Sequence, residues 1–124
     1  MSKKNKVIID GTEYIRADSV KNYKPAKKLE GMDYVVVRTY SAGVFAGYLA
    51  SREGKEVVLN NARRLWFWKG AASLSQLAME GVKNPDECKF PVEVTEITLT
   101  ETIEVIKATQ EAMESIKGVK IWEK

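Results

Sequence analysis

The sequence predicts an α+β fold: an antiparallel β-sheet in meander order, with one short helix and one C-terminal helix packed on it. Apolar residues alternate at period two, or run unbroken, through residues 34–68, interrupted only by short turn-forming segments. Two later segments, 71–79 and 108–117, carry apolar residues at helical spacing instead. Glycines at 81 and 118 stand where those two segments end. The chain has 124 residues, which suits one domain. A change of composition divides it into an N-terminal arm and linker, 1–33, and a single α+β domain, 34–124.

Residues 1–6 are polar and expected to fray. Val7-Ile8-Ile9, Asp10-Gly11 and Thr12–Ile15 read as a hairpin, because Asp-Gly is a strong two-residue turn signal. Asp18 is placed to cap a short turn through Val20 and Tyr23. Residues 21–33 are charged, with one proline and one glycine, and read as a linker. A two-stranded hairpin is marginal alone, so the arm is expected to add a strand to a neighbour.

The main domain opens with a strand, Tyr34–Tyr40, whose three consecutive valines call for burial on both faces. After the tight connection Ser41-Ala42-Gly43, a second strand runs Val44–Ala50, with Gly47 leaving room for a close backbone or ligand. Arg52–Lys55 is a turn, and Val57–Asn60 begins a third strand that continues or bends into Arg63–Trp68. Ala71, Leu74, Leu77 and Ala78 form the stripe of a helix ending at Gly81. Residues 83–89 read as a loop. Phe90–Leu99 is one long strand with a bulge, or two strands. Residues 101–106 are ambiguous, and the alternation of Ile103 and Val105 favours a strand. A helix over Ala108–Lys117 buries Ala108, Ala112, Met113 and Ile116, and residues 119–122 form a terminal strand or a docked tail.

Composition narrows the function. The hydrophobic and charged fractions, 44% and 30%, are those of an ordinary soluble globular protein. A net charge of +3 does not suit a protein built to coat nucleic acid. One cysteine, Cys88, excludes an internal disulfide and fits a reducing cytoplasm; it reads as a packing residue. No apolar run approaches a membrane span, and the basic start is followed by only three apolar residues, which argues against a signal peptide. Histidine is absent, which removes the commonest general base and metal ligand. The acidic residues are scattered among lysines. The expectation is a protein that is not an enzyme and needs no metal or cofactor.

Residues 61–79 hold two of the three tryptophans and two adjacent arginines. At period two, Arg64, Trp66 and Trp68 share one face of a strand, and Arg63, Leu65 and Phe67 the other. Lys69 and Gly70 follow, then a helix N-terminus with Ser73 and Gln76. Stacking rings, phosphate-pairing cations and a helix N-terminus are what a nucleotide site needs. The alternative places both tryptophans in the core and leaves the arginines solvated. Arg38, in a strand of valines and tyrosines, needs a carboxylate or a ligand phosphate as partner. The candidate ligand-binding residues are Arg38, Arg63, Arg64, Trp66, Trp68, Lys69, Ser73 and Gln76. Gly43–Gly47 reads as a hairpin rather than a phosphate loop, since the Walker spacing and lysine are missing.

The runs at 34–49 (Tyr-Val-Val-Val-Arg-Thr-Tyr-Ser-Ala-Gly-Val-Phe-Ala-Gly-Tyr-Leu), 62–78 (Ala-Arg-Arg-Leu-Trp-Phe-Trp-Lys-Gly-Ala-Ala-Ser-Leu-Ser-Gln-Leu-Ala), 84–90 and 116–122 resemble a small family encoded by bacteriophages and prophages. That family is in turn similar to the first type of anti-Thoeris phage proteins. The resemblance spans residues 34–124 and leaves out the arm. It implies a sponge: a protein that binds the cyclic ADP-ribose signal of a bacterial TIR-domain enzyme, or cyclic oligonucleotides of other defence systems, without cleaving it. It further implies a homo-oligomer, with pockets where subunits meet, in the cytoplasm of an infected or lysogenic host. It does not assign ligand contacts, so the candidate residues rest on the physical reading. The alternatives from the sequence are a phage nucleic-acid-binding protein using the N-terminal lysines, and an inhibitor of a host protein anchored by Trp66, Trp68 and Trp122.

Overall fold

The computed structural model describes residues 23–123 and, before them, two strands, β1 (Lys6–Ile9) and β2 (Thr12–Ile15), paired antiparallel. The expected Asp10-Gly11 turn, the residues before Lys6 and the turn capped by Asp18 lie outside the described residues. The main sheet has five strands: β3 (Tyr34–Thr39), β4 (Val44–Glu53), β5 (Glu56–Arg64), β6 (Val94–Leu99) and β7 (Thr102–Lys107). All pairings are antiparallel, in the order β6-β5-β4-β3-β7, so the meander is as expected and β7 returns to pair with β3. Residues 101–106 are therefore strand, as their alternation implied. Of Phe90–Leu99, only Val94–Leu99 joins the sheet; Phe90 instead bridges Ile121 in the C-terminal tail.

The strand order constrains the shape of the sheet. The outer strands of a flat five-stranded sheet lie about 19 Å apart, four spacings of ~4.8 Å. β6 and β7 are joined by only Thr100 and Glu101, and three Cα steps reach at most about 11 Å. The sheet must therefore curl until its edges approach at this end. The connection is fixed across the strand ends, where the Tyr40 N–H donates to the Glu101 carbonyl (2.9 Å) and the Thr102 N–H to the Lys55 carbonyl (3.1 Å).

Curling gives the sheet two buried faces. The inner one collects Val35, Val37, Phe45, Val57, Leu59, Ala62 and Leu99, closed by Leu49, Ile97 and Val105. The outer one carries Tyr34, Val36, Ala46, Tyr48 and Leu65 beneath the two helices. This explains the unbroken Val35-Val36-Val37 run: alternate valines serve different cores.

Helix α1 (Leu74–Glu80) ends at Gly81 (φ +75°), as its sequence indicated, but starts later than its apolar stripe implied, because Ser73 caps it and leaves Ala71 outside; it buries Leu77 and Ala78. Helix α2 (Gln110–Gly118) buries Ala112, Met113 and Ile116 and runs one residue past Lys117, ending at Val119. Its N-cap Thr109 accepts from the Ala112 N–H (3.0 Å) and donates to the Met79 carbonyl (2.7 Å), locking the helices together. The segment expected as a linker is attached to this corner. The Ala26 N–H donates to the Ala108 carbonyl (3.2 Å), and the Gln110 N–H to the Lys24 carbonyl (2.8 Å).

A bulge in β5 decides which of its side chains face each core. Ala46 pairs with Arg63 and Tyr48 with Asn60, so Gly47 alone faces Asn61 and Ala62. Asn61 takes a positive φ of 50°. The extra residue inverts the facing of the strand: Val57 and Leu59 point to the inner core, but Arg63 and Leu65 point to the outer one. A Cβ at Gly47 would lie 2.9 Å from the Ala62 Cα, so the close approach read from this glycine is made by β5. Gly47→Ala is expected to lower unfolding free energy by about 1–3 kcal/mol, the usual cost of overpacking. Urea denaturation should show a lower midpoint with an unchanged slope.

The Tyr34 hydroxyl lies in the outer core with no hydrogen-bond partner among the described residues. Burial, chiefly, together with Glu93 and Tyr48, pushes its pKa well above the ordinary value, while Arg63 opposes the shift. Unfolding in alkali therefore releases a proton that the native state retains. Stability from this group is complete below the unfolded value of about 10 and falls as pH rises above it. Tyr34→Phe should leave stability nearly unchanged at pH 7 and flatten the loss above about pH 10. Urea midpoints across pH 7–11 measure this.

Candidate functional site

The tryptophan-rich run leaves the sheet at Arg64. Leu65 remains buried and its N–H donates to the Val44 carbonyl (2.8 Å), so alternation persists through Trp66, which is 59% exposed. It then breaks. Phe67 pairs with Lys89 in an isolated bridge and faces outward, while Trp68 turns back to pack partly buried on the outer core. The expected common face of Arg64, Trp66 and Trp68 is thus not formed, because the segment is no longer a sheet strand after Arg64.

The arginines have separate roles. Arg63 is 5% exposed. Its Nε donates to the Pro91 carbonyl (3.0 Å), Nη1 to Ile116 (2.8 Å) and Nη2 to Phe90 (3.1 Å), and its guanidinium lies 5.4 Å from the Phe90 ring centre. Desolvation lowers its pKa, partly offset by Tyr34 and Glu93. Arg64 is exposed, folds over the Phe45 ring (4.5 Å) and donates to the Ala42 carbonyl (2.6 Å), bracing the β3–β4 turn. Arg38 is exposed, opposite Glu104 on β7, with which it pairs at 3.4 Å, so the partner it needed is a carboxylate.

Lys69 pairs with Glu87 at 3.2 Å. Ser73 accepts from the Gln76 N–H (3.1 Å), and Gln76 Oε1 accepts from the Ala72 N–H (2.8 Å); both side chains cap α1. Arg38, Arg63, Arg64, Lys69, Ser73 and Gln76 therefore all have partners within the chain. Of the eight candidates, Trp66 is the aromatic one that stays exposed.

Trp66 has company that the local sequence did not place there. Trp122, from the C-terminal tail, stacks on it with ring centres 5.1 Å apart and planes 4° from parallel. Lys89 Nζ lies 5.5 Å from the Trp66 ring centre, 5.7 Å from Trp122 and 5.8 Å from Phe67. Lys89 makes no ion pair among the described residues. The tail is held by the Trp122 N–H, which donates to the Phe90 carbonyl (3.0 Å), the same oxygen that Arg63 binds. A cleft of about 500 Å³ opens beside it, lined by Pro85, Asp86, Cys88, Lys120 and Trp122. The signals for Trp122 and Lys89 were a third tryptophan near the terminus and a lysine beside a buried phenylalanine, neither of which fixes a partner. Chemically, the cluster offers indole faces for a planar ligand and an ammonium for an anion.

Over residues 32–116 the chain matches the model of a family described as a domain of unknown function (DUF6948), and it belongs to that family. Trp66 and Lys89 lie inside the matched segment and Trp122 beyond it. No curated protein and no solved structure matches the chain. Among the described residues, no helix is long and apolar enough to cross a membrane, and no group of three or more His, Cys, Asp or Glu could hold a metal ion.

Arg63→Ala takes the donor from the Pro91 carbonyl and one of two donors from the Phe90 and Ile116 carbonyls, and an unsatisfied buried group costs about 1–3 kcal/mol. The variant should lose about 1–3 kcal/mol, measured by urea unfolding. Arg63→Lys should recover only part of this, because an ammonium lacks the planar fork.

Proposed function

We propose that this protein binds a small nucleotide and holds it without chemical change. The observation that carries the reading is the exposed Trp66–Trp122 pair with Lys89 beside it, which makes no ion pair among the described residues. A base gains about 1–3 kcal/mol by stacking on an aromatic side chain. An ammonium at the ring edge is within reach of the attached phosphate. A chain without histidine, whose single cysteine is buried, offers little to cleave what it holds. The sequence resemblance extends the proposal: the ligand is a cyclic nucleotide immune signal of the cyclic ADP-ribose type, the role is anti-defence, and the working form is a homo-oligomer in the host cytoplasm.

Long nucleic acid fits less well. Lys89 and Lys120 are the cations at this surface without an ion pair among the described residues, Asp86 and Glu123 line the same cleft, and Lys69 is taken by Glu87. Affinity should therefore fall with salt at a log–log slope of roughly −1 to −2, against a much steeper dependence for a surface with many phosphate contacts. A protein partner is the second reading, favoured by Ile121, 47% exposed beside Trp122.

The test is a thermal-shift screen of cyclic nucleotides, including cyclic ADP-ribose isomers, followed by denaturation and mass spectrometry of the released ligand. The expected result is a raised Tm and a ligand of unchanged mass. Trp66→Ala should weaken binding roughly ten- to hundred-fold, and Lys89→Ala should reduce the salt slope by about one. A hydrolysed ligand would overturn sequestration. No shift with any nucleotide would turn the surface over to the protein-partner reading.

A further inference from the structure

Resting on that reading, we infer that Trp66 and Trp122 are the two walls of a slot for one planar heteroaromatic base bearing an adjacent phosphate. In the structure the walls stack on each other and fill the slot. The base enters between the rings, and Lys89 takes the phosphate at their shared edge.

Three features point to insertion rather than to stacking on an outer face. The planes are only 4° from parallel, so widening the pair by about 3.4 Å, the stacking rise of bases, leaves two faces ready for a flat guest. The walls are also unequally fixed. Trp66 stands between buried Leu65 and Phe67, whose N–H and carbonyl both bond the backbone of Lys89 (3.3 and 2.8 Å). Trp122 stands on an exposed tail beyond buried Val119, tied through one backbone N–H to Phe90. The tail is thus the wall that moves, and it has room. Trp122 lines the 500 Å³ cleft and Trp66 does not, so open space lies against Trp122 outside the ring pair.

Lys89 fixes the chemical class. Its ammonium sits at nearly equal distance from both indoles, 5.5 and 5.7 Å from their centres, and so at the mouth of the slot. Cation–π contact holds it there without neutralising it. A bare base would leave that charge unpaired, and a bare phosphate would leave the rings in contact; a nucleoside monophosphate unit satisfies both.

Stacked indoles give an exciton couplet in far-ultraviolet circular dichroism, which a base inserted between them abolishes. The full chain is titrated to millimolar concentration with adenosine 5′-monophosphate, with adenosine and with ribose 5-phosphate, following the couplet and tryptophan fluorescence. The monophosphate is expected to collapse the couplet and quench fluorescence. Adenosine should do the same with affinity reduced roughly ten-fold, and ribose 5-phosphate should leave the couplet intact. Trp122→Phe, an exposed change in the tail, should remove the couplet from the free protein and so assign it. Trp122→Ala should weaken monophosphate binding roughly ten-fold or more. Binding that quenches fluorescence but preserves the couplet would overturn insertion while leaving nucleotide binding in place. No binding of the monophosphate would overturn the slot, and the cyclic-nucleotide screen would then decide separately whether sequestration survives.

Discussion

A guanidinium that stays charged in the protein interior needs acceptors fixed in its plane. Arg63 finds three, the carbonyls of Phe90, Pro91 and Ile116. They come from the segment leading into β6 and from the last turn of α2, so one side chain of β5 joins the sheet, the returning chain and the C-terminal helix. The Phe90 carbonyl is shared with the Trp122 N–H, which makes the position of the exposed ring depend on the buried cation. The Ile116 carbonyl lies in the last turn of the helix, where it also accepts from the N–H of the C-cap Val119 (3.3 Å), so Arg63 adds a second donor at the helix end.

Arg63 reaches this place through an irregularity. In a regular strand it would share a face with Val57 and Leu59 and enter the inner core, where the neighbours are Val35, Val37 and Phe45. The bulge at Asn61, accommodated by the bare backbone of Gly47, turns it to the outer face, where backbone carbonyls are within reach. A single residue of extra length thus separates a buried charge without partners from one that organises a corner of the molecule.

The cations near the tryptophan run differ in what they meet. Most cations near the tryptophan run are used within the chain: Arg64 on a turn carbonyl, Lys69 on Glu87, Arg38 on Glu104. Lys89 differs because its neighbours are rings. Aromatic faces attract an ammonium without cancelling its charge, which leaves it able to meet an anion. That distinction, rather than the number of basic residues, singles out the Trp66–Trp122 corner.

The meander, both helices with the C-cap of α1, and the double burial of the valine run arise from local pattern, because turn chemistry, capping and periodicity act over a few residues. The close approach at Gly47 was legible too, though not what approaches. Of the site, Trp66 was legible and its setting was not. Whether an arginine is a ligand group or a structural pin depends on which carbonyls or carboxylates surround it, and those lie 22 to 66 positions away for Arg38, Arg63 and Arg64. The sequence by itself determined the elements and the lack of histidine. Only the tertiary structure decided that the sheet curls, that Arg63 is buried, and that Trp122 and Lys89 meet Trp66, because chain reversal and a one-residue bulge set those contacts and no local periodicity encodes them.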